Sequence, residues 1–483
     1  MAKLFLFYSG EKFSHMGGFF GTISKSDCVK DLFYGTDYHS HLGTKRGGIA
    51  VFTGKDFTRR IHNIENTYFR TKFEPDLHEF KGNIGIGIIS DTDSQPIMMH
   101  SHLGKFALVT VGKIANLHEL KEEVLAKKGY FGEIGNNGMN PTEMAGVLIN
   151  EGKTFTEGIQ ILQEKINGSM SVLILRENEI IAARDKLGRT PMVVGRKNEA
   201  MAVAFETTCF PNLDYETDYF VGPGEALSLN PDGYEQLIKP RDEMQICSFL
   251  WVYYGYPSSY YEGINVEKSR YRCGAALAKN DNVDIDYASG IPDSGIGHAI
   301  GYANKRRVPY MRPYVKYTPT WPRSFMPGNQ NVRDLVAKMK LIPNRDLIDG
   351  KRLVFCDDSI VRGTQMQDNV KIFFKYGIKE FHMRVACPPL CYPCKFINFS
   401  ASRSQLELAS RKAIHQLNGG GGCEDVSEYA KTGSEKNKEM IESIRKRLNL
   451  STLKYQQPDA LVDAIGLPKE KLCTHCFDGS SYF

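Results

Sequence analysis

The fold of this chain is decided by the stretch Arg352-Leu353-Val354-Phe355-Cys356-Asp357-Asp358-Ser359-Ile360-Val361-Arg362-Gly363-Thr364. Its apolar part, Leu353 to Cys356, predicts a buried strand of a parallel sheet. Asp357 and Asp358 follow at the carboxyl end of that strand, where carboxylates can accept hydrogen bonds from a vicinal diol. The amides from Ser359 to Thr364 can enclose a phosphate at the start of the next helix. Together these features predict a ribose 5-phosphate site, whereas an Asp-Asp pair alone more often indicates a solvated turn or a metal site.

Length and composition indicate a folded chain of roughly two or three domains. It has 483 residues, of which 41% are hydrophobic, and a formal net charge of +5. The basic residues are interspersed with acids, so the sequence lacks the charged patch of a nucleic-acid-binding protein. The apolar run Leu4 to Tyr8 is too short for a signal peptide or a membrane span. We therefore expect a cytoplasmic protein with no nucleic-acid or membrane partner.

The two halves of the chain differ in pattern. From Gly82 to about Asn230, short β-rich runs recur between turns, which predicts an antiparallel or mixed sheet domain with some helices. From Cys247 onward strands and helices alternate, which is typical of a parallel sheet with ligand loops at the strand ends. We predict a boundary after residue 240, giving domains 1–240 and 241–483. The predicted strands are Val283–Tyr287, Arg352–Cys356 and Glu380–Ala386, and the predicted helices are Pro141–Glu151, Thr156–Ile166, Gly295–Asn304 and Thr364–Lys375.

A second ligand loop is predicted at Ile291-Pro292-Asp293-Ser294-Gly295, between a strand and a helix. Its amides and its glycine suit a pyrophosphate whose oxygens are bridged by Mg²⁺. By itself the run fits a simple turn equally well. Paired with the acidic loop, Asp357 to Thr364, it completes a site for a pyrophosphorylated ribose, with Mg²⁺ near Ser294, Asp357 and Asp358. Departure of pyrophosphate leaves positive charge on the sugar, so positioning and charge neutralisation would dominate catalysis.

The motifs of both halves resemble those of one enzyme family, the amidophosphoribosyltransferases. The stretches that carry the resemblance are Cys247-Ser248-Phe249, Gly263-Ile264-Asn265-Val266, Ile291 to Gly295, Lys338 to Arg345, Arg352 to Thr364, and Pro388 to Cys394. The resemblance implies glutamine-dependent use of phosphoribosyl pyrophosphate (PRPP) at the first step of de novo purine synthesis. It also implies an α+β, N-terminal-nucleophile-like glutaminase domain of αββα layers, then an α/β type I phosphoribosyltransferase domain, in a homo-oligomer.

The resemblance assigns PRPP-binding roles to both loops. Asp357 and Asp358 would hold the ribose hydroxyls, and Arg323 would assist catalysis after a mobile loop closes. Lys340 and Arg345 would lie near the substrate phosphates, although a solvated helix face is the alternative for these two. The full PRPP-binding set is Asp293, Ser294, Gly295, Lys340, Arg345, Asp357, Asp358, Ser359, Ile360, Val361, Arg362, Gly363 and Thr364.

Eleven cysteines in a reducing compartment do not indicate a disulfide framework. By similarity to the iron-sulfur branch of the family, four of them would bind a [4Fe-4S] cluster. The alternatives are a four-cysteine zinc site, which would use the same thiolates, or reduced structural thiols. Cys273, Cys356 and Cys391 are expected to pack in the core. The four proposed cluster ligands are Cys247, Cys394, Cys473 and Cys476.

The positions that handle glutamine in the family are changed in this chain. The family's Cys-Gly-x-Phe-Gly reads Gly17-Gly18-Phe19-Phe20-Gly21, so the nucleophilic thiolate of an N-terminal cysteine is missing. The substrate arginine, the oxyanion-hole asparagine and the amine-binding aspartate are replaced by Ile88, Val111 and Pro141. Loss of one oxyanion donor alone costs about a hundredfold or more in rate. We therefore expect a folded domain without glutaminase activity.

Three further segments depart from the family pattern. The His-Arg-Gly turn reads His41-Leu42-Gly43, and the Arg-Pro-Asp-Ser turn reads Tyr256-Pro257-Ser258-Ser259. The mobile loop that closes over PRPP keeps only Arg323, Ser324 and Phe325 within 317–325, and Pro319 and Pro322 stiffen it. The first of these changes concerns glutamine handling, whereas the other two affect the acceptor side of the site more than the PRPP side.

The leading hypothesis is PRPP-dependent phosphoribosyl transfer to ammonia, or to an amine supplied by a partner protein. A second hypothesis is a catalytically silent, PRPP-sensing subunit that docks on a partner; the altered acceptor segments favour it and the intact PRPP motif argues against it. A third is a phosphoribosyltransferase with another acceptor, such as a base, which product identification would distinguish.

Overall fold

The computed structural model describes residues 17–91, 93–133, 139–317, 341–397, 405–421 and 425–480. Arg323, Lys340, the segment 318–325 and residues 1–16, for which predictions were made, lie outside these ranges. Within the ranges, no helix has both the length and the apolar character needed to cross a membrane.

Two antiparallel sheets pack face to face in the first half of the chain. The first sheet has seven strands in the order β11-β9-β10-β1-β4-β2-β3, and the second has six in the order β13-β12-β8-β7-β6-β5. Apolar side chains of both inner faces, such as Phe19, Val109 and Leu173, form the core between them. The strands are β1 Gly18–Ser24, β2 Arg46–Phe52, β3 Phe57–Asn63, β4 Ile84–Ser90, β5 Ile97–Ser101, β6 Gly104–Ile114, β7 Gly168–Leu175, β8 Ile180–Ala183, β9 Val193–Lys197, β10 Ala200–Ala204, β11 Glu216–Phe220, β12 Ala226–Asn230 and β13 Gly233–Ile238.

Helices cover the outer face of each sheet. On the first sheet, Leu32 and Phe69 of two helices pack against Phe20. On the second sheet, Leu148 and Ile159 pack against Phe106. The layers therefore follow the order helix, sheet, sheet, helix, and the predicted αββα domain is confirmed. The helices are α1 Val29–Asp37, α2 Phe69–Phe73, α3 Leu117–Ala126, α4 Pro141–Ile149 and α5 Phe155–Lys165.

A four-stranded parallel sheet organises the second half. Its order is β17-β20-β21-β22, and the central strand β20 is buried between β17 and β21, which confirms the predicted α/β fold. Its strands are β17 Tyr287–Gly290, β20 Arg352–Asp357, β21 Glu380–Val385 and β22 Thr452–Tyr455. Its helices are α6 Val266–Ala278, α7 Ile296–Arg306, α8 Thr364–Lys375, α9 Ala409–Leu417, α10 Ser427–Ala430, α11 Glu435–Arg447, α12 Pro458–Ile465 and α13 His475–Asp478.

Three short strand pairs complete the second half. They are β14 Ile246–Cys247 with β23 Leu472–Cys473, β15 Tyr260–Tyr261 with β16 Ile264–Asn265, and β18 Tyr314–Lys316 with β19 Leu341–Pro343. The predicted division after residue 240 falls between the last strand of the sandwich and β14, and we propose it as the domain boundary.

The predicted element boundaries differ from the structure at a few points. The predicted strand 283–287 is wrong, because the strand runs from Tyr287 to Gly290. The preceding residues are charged: the carboxylate of Asp286 accepts a hydrogen bond from the Arg352 amide at 2.7 Å, outside the apolar part of the sheet. Helix α5 begins at Phe155 rather than 156 because the Thr154 hydroxyl accepts from the Glu157 amide at 3.2 Å and caps it. Helix α8 has the predicted bounds.

A buried ion pair joins the parallel sheet to the chain that follows α6. Arg384 of β21 and Asp281 have fully buried side chains, and Arg384 Nη2 lies 2.9 Å from Asp281 Oδ1. The Tyr302 hydroxyl donates to the same carboxylate at 2.6 Å, and Lys454 Nζ lies 3.1 Å from it. Burial opposes ionisation of Asp281, but the hydrogen bonds and charge of Arg384 outweigh it and hold its pKa well below the usual range.

Candidate active site

The acidic loop begins where β20 ends, at the carboxyl edge of the parallel sheet. Asp357 Oδ1 accepts hydrogen bonds from the Asp358 amide and from Ser294 Oγ, both at 2.9 Å. The Ser359 hydroxyl donates to Asp358 Oδ2 at 2.7 Å. The structure thus brings together Ser294, Asp357 and Asp358, the three residues predicted near Mg²⁺.

The two neighbouring carboxyl groups are buried and affect one another electrostatically. Burial raises the pKa of Asp357 well above its usual range, and the charge of Asp358 raises it further. A cation or hydroxyl donors between these carboxyls would offset both the cost of burial and the repulsion between the two charges. Carboxylate oxygens are also the ligands that Mg²⁺ takes in proteins, so the donor set fits this ion.

The Ser294 loop, Ile291 to Gly295, lies directly against the end of β20. The Ile291 amide donates to the Cys356 carbonyl at 2.9 Å, and the Gly295 amide donates to the Ile291 carbonyl at 2.8 Å. A Cβ atom on Gly295 would lie only 2.1 Å from the Cys356 carbonyl oxygen. Glycine is therefore required for this close approach. Lys316 Nζ pairs with the Asp293 carboxylate at 2.5 Å.

Replacing Gly295 with alanine should separate the Ser294 loop from β20. The added methyl has no room beside the Cys356 carbonyl, so the loop must shift by about an ångström, and we expect kcat/KM for PRPP to fall about 100-fold. Steady-state kinetics measure this loss. Gly421→Ala is the control, because a Cβ there meets nothing closer than 3.4 Å; equal activity of both variants would contradict the prediction.

The rest of the acidic loop leads into α8. Gly363 precedes the helix with a φ of +78°, a conformation that favours glycine. Behind the loop, the Ala409 amide donates to the Val361 carbonyl at 2.7 Å. Arg362 pairs with Glu407 at 2.8 Å. The loop is thereby held in place at the start of a helix, where backbone amides favour an anion.

Of the basic residues predicted near the substrate phosphates, only Arg345 lies within the described ranges. Arg345 lies in a 3₁₀ turn, Arg345–Leu347, with its side chain 74% exposed. Within the described chain its guanidinium meets Asp349, at 4.0 Å, rather than either ligand loop. Lys340 and Arg323 lie outside the described residues, so all three assignments stay predictions.

The four predicted cluster cysteines converge at the junction of the two halves. Cys247 of β14 is directly opposite Cys473 of β23 in a parallel pair. The amides of Cys391 and Tyr392 donate to the Cys476 carbonyl at 3.0 and 3.1 Å, which brings the Cys394 segment to α13.

The thiols of these cysteines interact with one another. A hydrogen bond with Cys394, followed by burial, raises the pKa of Cys476, and burial followed by the neighbouring thiols of Cys473 and Cys394 raises that of Cys247. Among the described residues, no three His, Cys, Asp or Glu side chains are arranged to hold a metal ion. Four thiols are the donor set of a thiolate-ligated metal or cluster.

Gly17, predicted to occupy the position of the family's glutaminase nucleophile, has a backbone that does not suit a side chain. Gly17 has a φ of +92°, and its amide donates to the Leu42 carbonyl at 2.9 Å. A Cβ atom there would lie 2.7 Å from the Ile89 carbonyl oxygen. A cysteine at this position would therefore be strained both by the backbone conformation and by contact.

The other altered glutamine positions are filled by hydrocarbon or proline. Leu42, Ile88 and Val111 belong to one core cluster with Phe19 and are at most 1% exposed. Pro141 is the first residue of α4, where its ring fits the helix but offers no carboxylate. The structure thus places apolar groups where the resemblance requires polar anchors.

The sequence did not reveal a polar network beside this core. Glu206 is fully buried, and its carboxylate lies 2.9 Å from His41 Nε2 and accepts from the Tyr261 hydroxyl at 2.6 Å. His41 Nδ1 lies 3.1 Å from the Tyr38 carbonyl, so both ring nitrogens face acceptors. Burial raises the pKa of Glu206, but the charge and hydrogen bond of His41, the charge of His39 and the hydrogen bond of Tyr261 together outweigh it, so the net pKa is lowered. The network ties the first domain to Tyr261 of the second.

Three comparisons with known proteins agree with this architecture. A family profile described as "Glutamine amidotransferase domain" matches residues 83–212. An amidophosphoribosyltransferase of Methanothermobacter thermautotrophicus is 30% identical, over 96% of this chain and 93% of that protein. The Bacillus subtilis amidophosphoribosyltransferase is 30% identical over 83% of this chain and 85% of its own length.

The fold of a solved relative matches over both domains. The structure of the glutamine PRPP amidotransferase from B. subtilis, complexed with ADP and GMP, superposes with a TM-score of 0.81 at 27% identity and covers 96% of each chain. The shared sequence spans nearly the whole length, and both predicted domains are present. The chain therefore belongs to the amidophosphoribosyltransferase family.

Proposed function

We propose that this chain transfers the phosphoribosyl group of PRPP to ammonia, forming 5-phosphoribosylamine, and does not use glutamine. As a member of its family it is a pentosyltransferase of the first step of de novo purine synthesis, with PRPP as its donor. The observation that carries the proposal is the 2.9 Å hydrogen bond from Ser294 to Asp357, which joins the two ligand loops at one edge of the sheet.

The two loops would divide the donor between them. Asp357 and Asp358 would hold the ribose hydroxyls, and the amides of Ser359 to Thr364 the 5-phosphate. Asp293 to Gly295 would face the pyrophosphate, with Arg323, Lys340 and Arg345 as further cationic groups. Bound Mg²⁺ would neutralise charge on the departing pyrophosphate. The residues themselves bind and orient the sugar so that ammonia meets C1 as positive charge develops there.

The first domain would keep its fold but would lack glutaminase activity. A φ of +92° at Gly17 and the apolar cluster of Leu42, Ile88 and Val111 support the loss of glutaminase activity. The nitrogen would then come from free ammonia or from a partner protein, and the domain would serve as a structural or docking module.

The test is anaerobic pyrophosphate release from PRPP and Mg²⁺ with ammonia, with glutamine, and with neither. Release with ammonia alone is the expected result. Release with glutamine would refute the loss of glutaminase activity. Binding of PRPP without release under any condition would favour a silent sensing subunit, and a product other than 5-phosphoribosylamine would indicate another acceptor.

We also propose that the four junction cysteines bind a [4Fe-4S] cluster. Replacing Cys473 with serine should abolish iron binding, because a four-thiolate site loses one ligand, and should weaken the β14–β23 junction. Iron, sulfide and zinc analysis of anaerobically purified protein measures this. Cys356→Ser is the control, since Cys356 is a core residue of β20; zinc without iron in the wild type would assign the site to zinc.

We further propose that the protein is a homo-oligomer and is located in the cytoplasm. The family resemblance supports both, and all ten cysteines in the described ranges are free thiols, as in a reducing compartment. Light scattering after size-exclusion chromatography would give the number of subunits.

A further inference from the structure

The acidic loop itself contains one cation, and the charge of that cation is already neutralised. Arg362 lies within the loop, but its guanidinium pairs with Glu407 at 2.8 Å. A sugar 5-phosphate carries about two negative charges near neutral pH. The loop amides supply only partial positive charge. A full positive charge for this phosphate would have to come from another residue.

Arg447, the last residue of α11, lies directly behind the loop. A Cβ placed on Gly363 would be 3.9 Å from Arg447 Nη2, so the guanidinium is next to the start of α8. Arg447 Nη2 donates to the Ala409 carbonyl at 3.3 Å, and the Ala409 amide donates to the Val361 carbonyl at 2.7 Å. The Arg447 carbonyl accepts from Gln367 Nε2 of α8 at 3.4 Å. Arg447 is therefore linked to Val361 of the loop through Ala409, and to α8 through Gln367.

The charge of Arg447 has no anionic partner among the described residues. Its Nη1 atom is buried and makes no hydrogen bond there. Burial lowers its pKa, and Tyr455 acts in the opposite direction. Arg447 is half-buried, and a partly desolvated cation without an anionic partner is costly. Binding of an anion beside Arg447 would offset this cost.

We propose that Arg447 is a further positioning residue of this site and supplies the positive charge behind the 5-phosphate of the donor sugar. The inference rests on the proposed function, which places a phosphate at the acidic loop. Arg447 fixes the loop through Ala409 and Gln367, and the bound phosphate monoester compensates its unpaired charge. The family resemblance assigned Ser359 to Thr364 to this phosphate, and Arg447 would add a full positive charge to their amides.

The test compares the binding of two ligands to the full chain by isothermal titration calorimetry. Ribose 5-phosphate probes the acidic loop, and Mg²⁺-pyrophosphate probes the Ser294 loop. In Arg447→Met, affinity for ribose 5-phosphate should fall about tenfold, because a charge-assisted contact is lost, while affinity for Mg²⁺-pyrophosphate stays within about twofold. Arg447→Lys keeps the charge and should recover part of the loss. Lys446→Met, whose side chain is 70% exposed on the same helix, is the control.

The outcomes separate this inference from the proposed function. Wild type that binds neither ligand would overturn both. Wild type that binds both, with an Arg447→Met variant that binds ribose 5-phosphate equally well, would overturn the inference alone. Equal weakening of both ligands would also overturn it, because a charge behind the acidic loop should not act on the Ser294 loop. If Arg447→Met does not fold, Arg447→Lys decides: a selective loss for ribose 5-phosphate supports the role, and no selective loss refutes it.

Discussion

Asp357→Asn is expected to lower kcat/KM for PRPP about 1000-fold while the protein stays folded. The carboxylate accepts from Ser294, and in the proposed function it would also accept from the ribose and its charge would stabilise the positive sugar in the transition state. Loss of one such preorganised electrostatic group typically costs about 100- to 1000-fold. Asparagine has nearly the same shape as aspartate. It also replaces a buried carboxyl whose pKa is strongly raised, so we expect the fold to be retained. Pyrophosphate release with ammonia measures the effect.

The matched control for this variant is Asp368→Asn. Asp368 is on α8, close to the same loop in sequence, but its side chain is 66% exposed and pairs with Lys371 on the surface. Its activity should equal that of the wild type. A loss of less than about tenfold in Asp357→Asn would show that this carboxylate does not act on the sugar.

Arg384→Met is expected to lower the free energy of unfolding of the second domain by about 3–5 kcal/mol. The arginine and Asp281 are fully buried together, and removal of Arg384 leaves a carboxylate away from water with only Tyr302 and Lys454 as partners. In the wild type, the hydrogen bonds and charge of Arg384 help to lower the pKa of Asp281 and favour its ionised form. Without Arg384, ionisation of this buried carboxyl becomes costly. Urea unfolding followed by circular dichroism measures the difference.

Two further variants test the reason for this loss. Lys438→Met breaks the exposed pair with Glu435, with side chains 62% and 85% exposed, and should cost no more than about 1 kcal/mol. The double variant Asp281→Asn, Arg384→Met should be more stable than Arg384→Met alone, because no unpaired charge remains. A double variant less stable than Arg384→Met would contradict this explanation.

Local patterns were sufficient to predict the elements that bear the site. The apolar run Leu353 to Cys356 indicated β20, and the loop with Gly363 indicated the start of α8, because both signals lie within a few residues. The αββα order and the parallel sheet followed from the change in pattern near residue 240 together with the family resemblance.

Contacts between distant segments could not be predicted in the same way. The requirement for glycine at 295 depends on the Cys356 carbonyl, and the burial of Glu206 depends on His41 and Tyr261. The position of Arg447 behind Gly363 likewise depends on tertiary packing. The start of β17 was misplaced because Asp284 and Asp286 pair with Arg352 instead of entering the sheet.

On the ribosome, the strand pair β14–β23 closes late. The Ser248 hydroxyl donates to the Cys473 carbonyl, 225 residues further along the chain. At about 5–20 residues per second, synthesis of that stretch takes roughly 10–45 s. During this time the first domain can already be folded, while the β14 edge and Cys247 await their partner. Nascent chains stalled before residue 472 would therefore expose an unpaired strand edge and a thiol that the finished protein buries.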